Sequence, residues 1–343
     1  MPQINVLMTA YNAEKYIAKA IDSILIQSFS DFQFIILDDG STDNTLSIIK
    51  SYSDSRIKIL QPGKIGYYAA KIMLIESASS EFIAIMDADD IAEKNRLQLQ
   101  YDFLVNNPDY SLVGSRASWI DSDGNLLNKE FPFIQMHEEI KCHLLFTNCL
   151  VHTSILIRRK TLAEYHLNYK KIAGEDFDFW IRIIQHSKAI NLNAVLINYR
   201  IHNNNMHYSN WYKLGEGISY LITDELKNYF KSNVDENDIQ THLSLVEFSL
   251  KNEIQDLEAI KNSITKLLNL NQQYQHFDEA ILKQVLYERI LKKLLRLKNY
   301  NFTVYQTLSQ LKKQLQPQLN LTLRKKEMAI FVFSLFRKQI VSL

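Results

Sequence analysis

In this 343-residue chain the carboxylates gather where short apolar runs end: Asp38-Asp39-Gly40-Ser41-Thr42-Asp43 follows Phe34–Leu37, and Asp87-Ala88-Asp89-Asp90 follows Phe82–Met86. A third polar end, Thr9-Ala10-Tyr11-Asn12, follows Ile4–Met8. Side chains alternate along a strand with period two, so Asp-x-Asp at a strand end can aim both carboxylates one way. Carboxylates held that close repel unless a cation lies among them. Oxygen ligands at this spacing suit Mg2+ or Mn2+, which leave positions open for diphosphate oxygens. Glu175-Asp176 opens a separate helical stretch, where a carboxylate can take the proton of a hydroxyl within hydrogen-bond reach. Each motif also has a plainer reading: an Asp-rich turn capping the next helix, a turn with Gly40 at positive φ, or first-turn acid on a helix dipole. The joint placement of the polar ends on neighbouring strands favours chemistry.

Those ends need a sheet to bring them together. Ile4–Met8, Phe34–Leu37, Ile57–Leu60 and Phe82–Met86 are brief, nearly continuous apolar blocks, the pattern of strands buried on both faces. Ala13–Gln27, Thr45–Tyr52 and Tyr68–Ser77 lie between them with helical spacing, Asp43 and Asn44 being candidate caps for the second. Lys94–Val105 is a further helix, stopped by Asn107-Pro108. The alternation predicts an α/β fold with a Rossmann-like, mainly parallel sheet and helices on both faces. Ligands of such sheets bind beyond the carboxyl ends of the strands. From Ser111 to about Met206 the pattern mixes short strands with a helix at Asp176–His186. After Leu214 it turns helical throughout, in Ile218–Phe230, Ile239–Lys251, Gln255–Leu268, Glu279–Leu297 and Val304–Leu315. Two domains are expected: residues 1–214, α/β, and residues 215–343, α-helical.

Hydrophobic residues at 46% and charged ones at 22%, with 8 Gly and 5 Pro, fit a folded globular chain and exclude collagen-like and disordered classes. Cys142 and Cys149 are too few for a disulfide scaffold and are expected as reduced thiols. No stretch of about 18 apolar residues occurs, and MPQINVLMTAYNAEKY lacks the layout of a secretion signal. The expected location is cytoplasmic, or peripheral on the cytoplasmic face of a membrane. The net charge of +1 conceals a partition: residues 215–282 hold 5 basic and 12 acidic residues, residues 283–343 hold 13 and 2. Arg289, Lys292, Lys293 and Arg296 share one helical face. Ala329, Phe333, Phe336, Ile340 and Leu343 form an apolar stripe near Arg324, Lys325, Lys326, Arg337 and Lys338. Such an end suits an anionic membrane surface, the acidic helices of its own domain, or a second copy in a homodimer. No nucleic acid is expected as partner, because the basic face lacks interleaved aromatics.

The segments INVLMTAYN at 4–12, DDGSTDNT at 38–45 and EFIAIMDADD at 81–90 resemble, in order and spacing, those of glycosyltransferase family 2, the inverting nucleotide-sugar transferases of GT-A fold. The resemblance continues through NCLVHTSILIRR at 148–159, GEDFDFWIR at 174–182 and NYRIH at 198–202, and covers about residues 3–207. It implies transfer of a sugar from a nucleotide-sugar, a UDP-sugar foremost, to a hydroxyl of a glycan or lipid-linked precursor in cell-surface polysaccharide synthesis. By position, Thr9, Ala10, Tyr11 and Asn12 would line the nucleotide pocket, with Asp39 meeting the pyrimidine base. Asp87 would approach the ribose and metal region, with Ala88 also at the nucleotide. Asp89 and His202 would hold a divalent Mn2+ or Mg2+. Asp176 would be the catalytic base with Glu175 beside it, and Arg200 would stand on the acceptor side; His152 would either shape that side or be a hydrogen-bonded core histidine.

The chain also departs from the family pattern. Ala70-Lys71-Ile72-Met73-Leu74 stands where many members have Ala-Arg-Asn-x-Gly, so Lys71 would carry the positive charge near the nucleotide without arginine's bidentate fork. Tyr165 to Lys171 replaces a glycine-bearing loop that borders sugar and acceptor, and so sugar identity does not carry over. A dehydrogenase is disfavoured because no GxGxxG follows the first strand. The reading from another class is a catalytically silent sugar-nucleotide or glycan-binding subunit acting through its helical tail.

Overall fold

A computed structural model describes residues 1–202, 211–247, 257–295, 302–318 and 320–340. The chain forms two compact units: Met1–Ile140 with Asn148–Asn210, and Lys141–Thr147 with Trp211–Leu343.

In the first unit, β1 (Ile4–Ala10), β2 (Phe32–Asp38), β3 (Ile57–Leu60) and β4 (Phe82–Asp87) lie parallel in the order β3-β2-β1-β4. Ile4, Val6, Met8, Phe34, Ile36, Phe82, Ala84 and Met86 are fully or almost fully buried, which is why these runs are continuously apolar. The crossovers pass through α1 (Ile17–Leu25), α2 (Thr45–Lys50) and α3 (Tyr67–Ser77). Beyond β4 the sheet becomes mixed. β5 (Ile91–Ala92), β6 (Tyr110–Ile120), β7 (Leu126–Glu130), β8 (Leu156–Arg158) and β9 (Lys188–Arg200) extend it to the order β3-β2-β1-β4-β8-β6-β9-β5, with β7 on β6. β8 runs antiparallel to both β4 and β6, whereas β6 and β9 pair in parallel over their length. The expected parallel sheet therefore describes the half that carries the motifs, and the other half departs from it. An antiparallel neighbour needs no crossover helix, and β8 is entered from the short turn His152–Ser154. The remaining helices are α4 (Arg96–Asn106), α5 (His137–His143), α6 (Arg159–Glu164) and α7 (Glu175–Ile184).

Arg96, on α4, is wholly buried beneath the site. It donates to the carbonyls of Ile85 (2.8 Å) and Ile155 (3.2 Å) and to Gln100 (3.1 Å). Gln100 in turn donates to the carbonyls of Val113 and Ser154. A buried guanidinium is tolerated when its N–H groups are met in this way. The pair pins β4, β6 and the turn before β8 together.

The second unit contains α8 (Trp211–Phe230), α9 (Glu236–Leu245), α10 (Leu257–Tyr274), α11 (Glu279–Leu294), α12 (Phe302–Leu315) and α13 (Leu321–Ile340). Asp235 and Asp238 form a reciprocal capping box on α9, and Asp278 caps α11. Lys141–Thr147 packs Leu144, Leu145 and Phe146 into this unit, all buried. His242 stacks on Phe146 at 4.5 Å and hydrogen-bonds the Leu145 carbonyl (2.9 Å). The basic face expected on α11 is turned partly inward. Arg289 and Lys293 are both buried, and Arg289 and Lys292 pair with Glu247 at 3.3 and 2.7 Å. Arg296, Leu343 and the side chains of Phe333, Phe336, Arg337, Lys338 and Ile340 lie outside the described residues, as does His207. No helix among the described residues is long and apolar enough to cross a membrane.

Candidate active site

Parallel register lays the polar strand ends side by side, Thr9 opposite both Leu37 and Asp87, and Ala10 opposite Asp38. Asn12, at φ 48°, turns the chain out of β1. Its N–H donates to Ser41 Oγ (3.0 Å), and its Oδ1 accepts from Thr42 N–H (2.8 Å). Asp43 does not cap α2 by itself: one oxygen accepts from Thr45 N–H (2.9 Å) and the other from Glu14 N–H (3.1 Å), tying the two loops together. Asp39, almost fully buried, accepts the N–H groups of Ile65 (2.7 Å) and Gly66 (2.9 Å) on Oδ1. Its Oδ2 meets the Lys64 ammonium at 3.1 Å, and that ammonium sits 3.0 Å from the centroid of the half-exposed Tyr11 ring. A Cβ on Gly40 (φ +71°) would come within 2.9 Å of Lys64 N, so only glycine lets this loop approach.

The second cluster forms where β9 reaches β5. Asp90 accepts from the Arg200 N–H (2.8 Å), and Arg200 Nε donates to the Asp89 carbonyl (2.7 Å). These bonds deliver His202 to Asp89, with Nε2 2.9 Å from Oδ2. Tyr16 stacks beside both, its ring 5.0 Å from that of His202 and 4.8 Å from the Arg200 guanidinium. Burial, with Asp89 and Asp87 nearby, pushes the Asp90 carboxyl well above its ordinary range. Among the described residues no three His, Cys, Asp or Glu side chains converge as a metal cage. A carboxylate oxygen facing an imidazole nitrogen nevertheless fits a divalent cation that takes its other ligands from substrate oxygens and water.

The third cluster surrounds the first turn of α7, which starts after Gly174 (φ 79°) with no side-chain cap. Glu175 is buried, and its Oε1 accepts from Lys71 Nζ (2.7 Å) and Tyr67 Oη (2.8 Å). Burial alone would raise this carboxyl; Lys71 foremost, with Tyr67 and His152, outweighs it and holds the group below the usual range. Asp176 is partly exposed. Its oxygens accept from Asn148 Nδ2 (2.9 Å) and from Phe177 N–H (2.8 Å). Asp178 turns away, to Arg182 and Lys170. His152 bridges this cluster to β4: Nδ1 lies 3.2 Å from Asp87 Oδ2, and Nε2 lies 3.0 Å from Tyr169 Oη and 3.2 Å from Lys71 Nζ.

Lys71 is 5% exposed, and its ammonium turns to Glu175 inside the unit. Arg200, 1% exposed, holds the carbonyls of Asp89, Asp121 and Ser122 and so supports the Asp89 loop from beneath. His152 sits between Asp87 and Lys71. Tyr67 and Lys64 carry no sequence signal of their place here, since Tyr67 meets Glu175 and Lys64 meets Asp39, each distant in sequence. Asn148 could have been found, as it opens the NCLVHTS segment.

A sheet of this topology with its acidic loops at the carboxyl ends of β1, β2 and β4 is the arrangement of a GT-A glycosyltransferase. Residues 5–166 match the profile described as Glycosyl transferase family 2. The chain is 34% identical over 241 residues to an uncharacterized glycosyltransferase of Methanocaldococcus jannaschii, covering 68% of this chain and 83% of that protein. It is 32% identical over 211 residues to the O-antigen biosynthesis glycosyltransferase WbnJ of Escherichia coli, covering 59% of this chain and 81% of that protein. Among solved structures it resembles TarS 1-349 of S. aureus in complex with UDP-GlcNAc, at TM-score 0.56 and 18% identity over 92% of this chain and 91% of that one. It also resembles the mannosyltransferase PcManGT of Pyrobaculum calidifontis in complex with GDP-Man and Mn2+, at TM-score 0.52 and 13% identity over 98% and 88%. The chain belongs to glycosyltransferase family 2 and is a transferase enzyme, with relatives in cell-surface polysaccharide synthesis.

Proposed function

We propose that this enzyme inverts the anomeric centre as it moves a sugar from a UDP-sugar to a hydroxyl of a glycan or lipid-linked precursor, with a divalent metal ion. The carrying observation is that Asp39 and Asp89 follow β2 and β4, Asp87 ends β4, His202 follows β9 and Asp176 lies in the first turn of α7, each carboxylate held by a partner: Lys64, His202, His152 and Asn148 respectively for Asp39, Asp89, Asp87 and Asp176. Tyr11 and Asp39 bind the base, and Thr9, Ala10, Asn12, Asp87 and Ala88 shape the rest of the nucleotide pocket. Asp176 accepts the proton of the acceptor hydroxyl as its oxygen attacks the anomeric carbon from the face opposite the diphosphate. The bond to the diphosphate breaks, and the departing oxygen keeps the electron pair. Asp89 and His202 would hold the cation, which when bound offsets charge on the leaving diphosphate. UDP-GlcNAc in TarS and Mn2+ in PcManGT support this reading by fold. Arg324 and Lys325, exposed on α13, suit an anionic membrane surface near the acceptor.

A panel of UDP-sugars, assayed for Mn2+-dependent donor hydrolysis and transfer, tests it. Turnover of at least one donor is expected, lost in Asp89→Ala and Asp176→Asn. Calorimetric binding of UDP with no turnover over the whole panel would instead mark a silent binding subunit.

A further inference from the structure

Lysine is among the residues least often buried, yet Lys71 lies inside the first unit, its stem among Leu7, Leu74, Ile85 and Met86 around a chamber of about 10 Å3. A charge in such surroundings must be paired. Its ammonium touches Glu175 (2.7 Å) and His152 (3.2 Å) and lies 4.4 Å from the centroid of the Tyr67 ring. With the His152 contact to Asp87, this makes an unbroken row, Asp87, His152, Lys71, Glu175, Tyr67, buried at its centre and partly exposed at Asp87. The row runs from the carboxyl end of β4 to the first turn of α7, and Asp176 is the next residue along that turn. The turn has no side-chain cap, so its setting rests on what grips Glu175 and Asp176.

We propose that Lys71 is a positioning residue for sugar transfer: through Glu175 it sets the direction of the Asp176 carboxylate, and through His152 it ties that setting to Asp87. The inference rests on Asp176 as base and Asp87 as a donor contact. It explains why a lysine serves here. A point charge on a flexible stem can meet a carboxylate and an imidazole at once, where a guanidinium would impose a planar fork. The ionisable groups facing Lys71 are Glu175 and Asp176 on α7, Asp87 on β4, His152 on the turn before β8, Tyr169 in the loop before α7 and Tyr67 on its own helix. Burial works against the ammonium, but Glu175 foremost, with Tyr169, Asp87 and Asp176, keeps it charged and above the ordinary lysine range.

The test uses the full chain with Mn2+ and the best donor of the panel, comparing wild type with Lys71→Met, Lys71→Arg, the charge-neutral double variant Lys71→Met/Glu175→Gln, and Asp176→Asn. Misplacing a base by about 1 Å costs about 100-fold, so Lys71→Met should lower kcat by that order while the Kd for UDP changes less than about threefold. Loss of a nearby cation makes carboxylates harder to ionise, so the acid limb of its kcat profile should rise by about one pH unit. Lys71→Arg should recover about a tenth of kcat or more, since it restores the charge. The double variant avoids an unpaired buried charge and is expected to fold, with kcat still low. A Lys71→Met or double variant with wild-type kcat and an unmoved acid limb would overturn the proposal. So would a kcat loss matched by an equal loss of UDP affinity, which would make Lys71 a donor contact. Normal turnover in Asp176→Asn would sink the reading of the base itself, whereas loss at Asp176 without loss at Lys71 sinks only the positioning role.

Discussion

Replacing Glu247 by Gln should loosen the helical unit, by an amount that depends on pH. Glu247 is 21% exposed; Oε1 meets Lys292 at 2.7 Å, and Oε2 meets Thr147 Oγ1 at 3.0 Å and Arg289 at 3.3 Å. Burial tends to raise its carboxyl, but Lys292, Arg289 and Thr147 together bring it down to about 2, from an ordinary 4.5. At about 1.36 kcal/mol for each pH unit, that depression is worth about 3 kcal/mol at neutral pH. Lys292 is 34% exposed, and water screens its share, which leaves about 2 kcal/mol. The sign follows from the direction. A carboxyl depressed in the folded state contributes its full stability above the unfolded value near 4.5, and the contribution fades as pH falls through about 2. Urea unfolding followed by far-ultraviolet circular dichroism at pH 7 and pH 3 measures it. Glu247→Gln should be less stable by about 2 kcal/mol at pH 7, and by less than about half of that at pH 3. Equal stability at pH 7, or a gap that does not shrink at pH 3, would refute the reasoning.

Other expectations concern the first unit. His202→Ala should raise the Mn2+ concentration for half-maximal turnover by about tenfold or more, as expected for loss of a metal contact; an unchanged requirement would remove it as a ligand. The Lys64 ammonium occupies the Tyr11 face beside Asp39, so a base stacking there displaces it. An exposed cation–π contact is worth about 0.5–1 kcal/mol, and Lys64→Ala should tighten uridine binding about threefold in calorimetry; weaker binding would contradict this. A Cβ on Gly114 would sit 2.2 Å from Asn191 Oδ1, and Asn191 is fixed by bonds to the carbonyls of Ile134 (2.7 Å) and Cys149 (3.2 Å). Gly114→Ala should therefore cost about 1–3 kcal/mol in urea unfolding, and a neutral effect would mean that Asn191 yields.

The strands that carry the motifs could be read because burial on both faces leaves a continuous apolar block, as in Phe34–Leu37. The polar ends could be read because aspartates that end such blocks have few other uses. β6 and β9 were read only as short strands in a mixed region. Their less buried positions carry Arg116, Ser118, Asn193 and Asn198, which break the apolar run, although the strands extend to 11 and 13 residues. Lys71 and Glu175 are 104 residues apart. No spacing rule links them, and only the packing of α3 against β1 and β2 reveals that a lysine in a helical stretch is buried. The tail was legible as helices, yet the inward turn of Arg289 and Lys293 was not, since a basic stripe at helical spacing looks the same whether it faces water or Glu247.

The seven residues Lys141–Thr147 make the two units depend on each other in time. On a ribosome they emerge with the first unit, but their partners come later: His242, which bonds the Leu145 carbonyl, is 97 residues further on. At about 5–20 residues per second, Leu144, Leu145 and Phe146 stay uncovered for roughly 5–20 s. During that interval the growing chain displays an apolar hook just before Asn148, the residue that steadies Asp176.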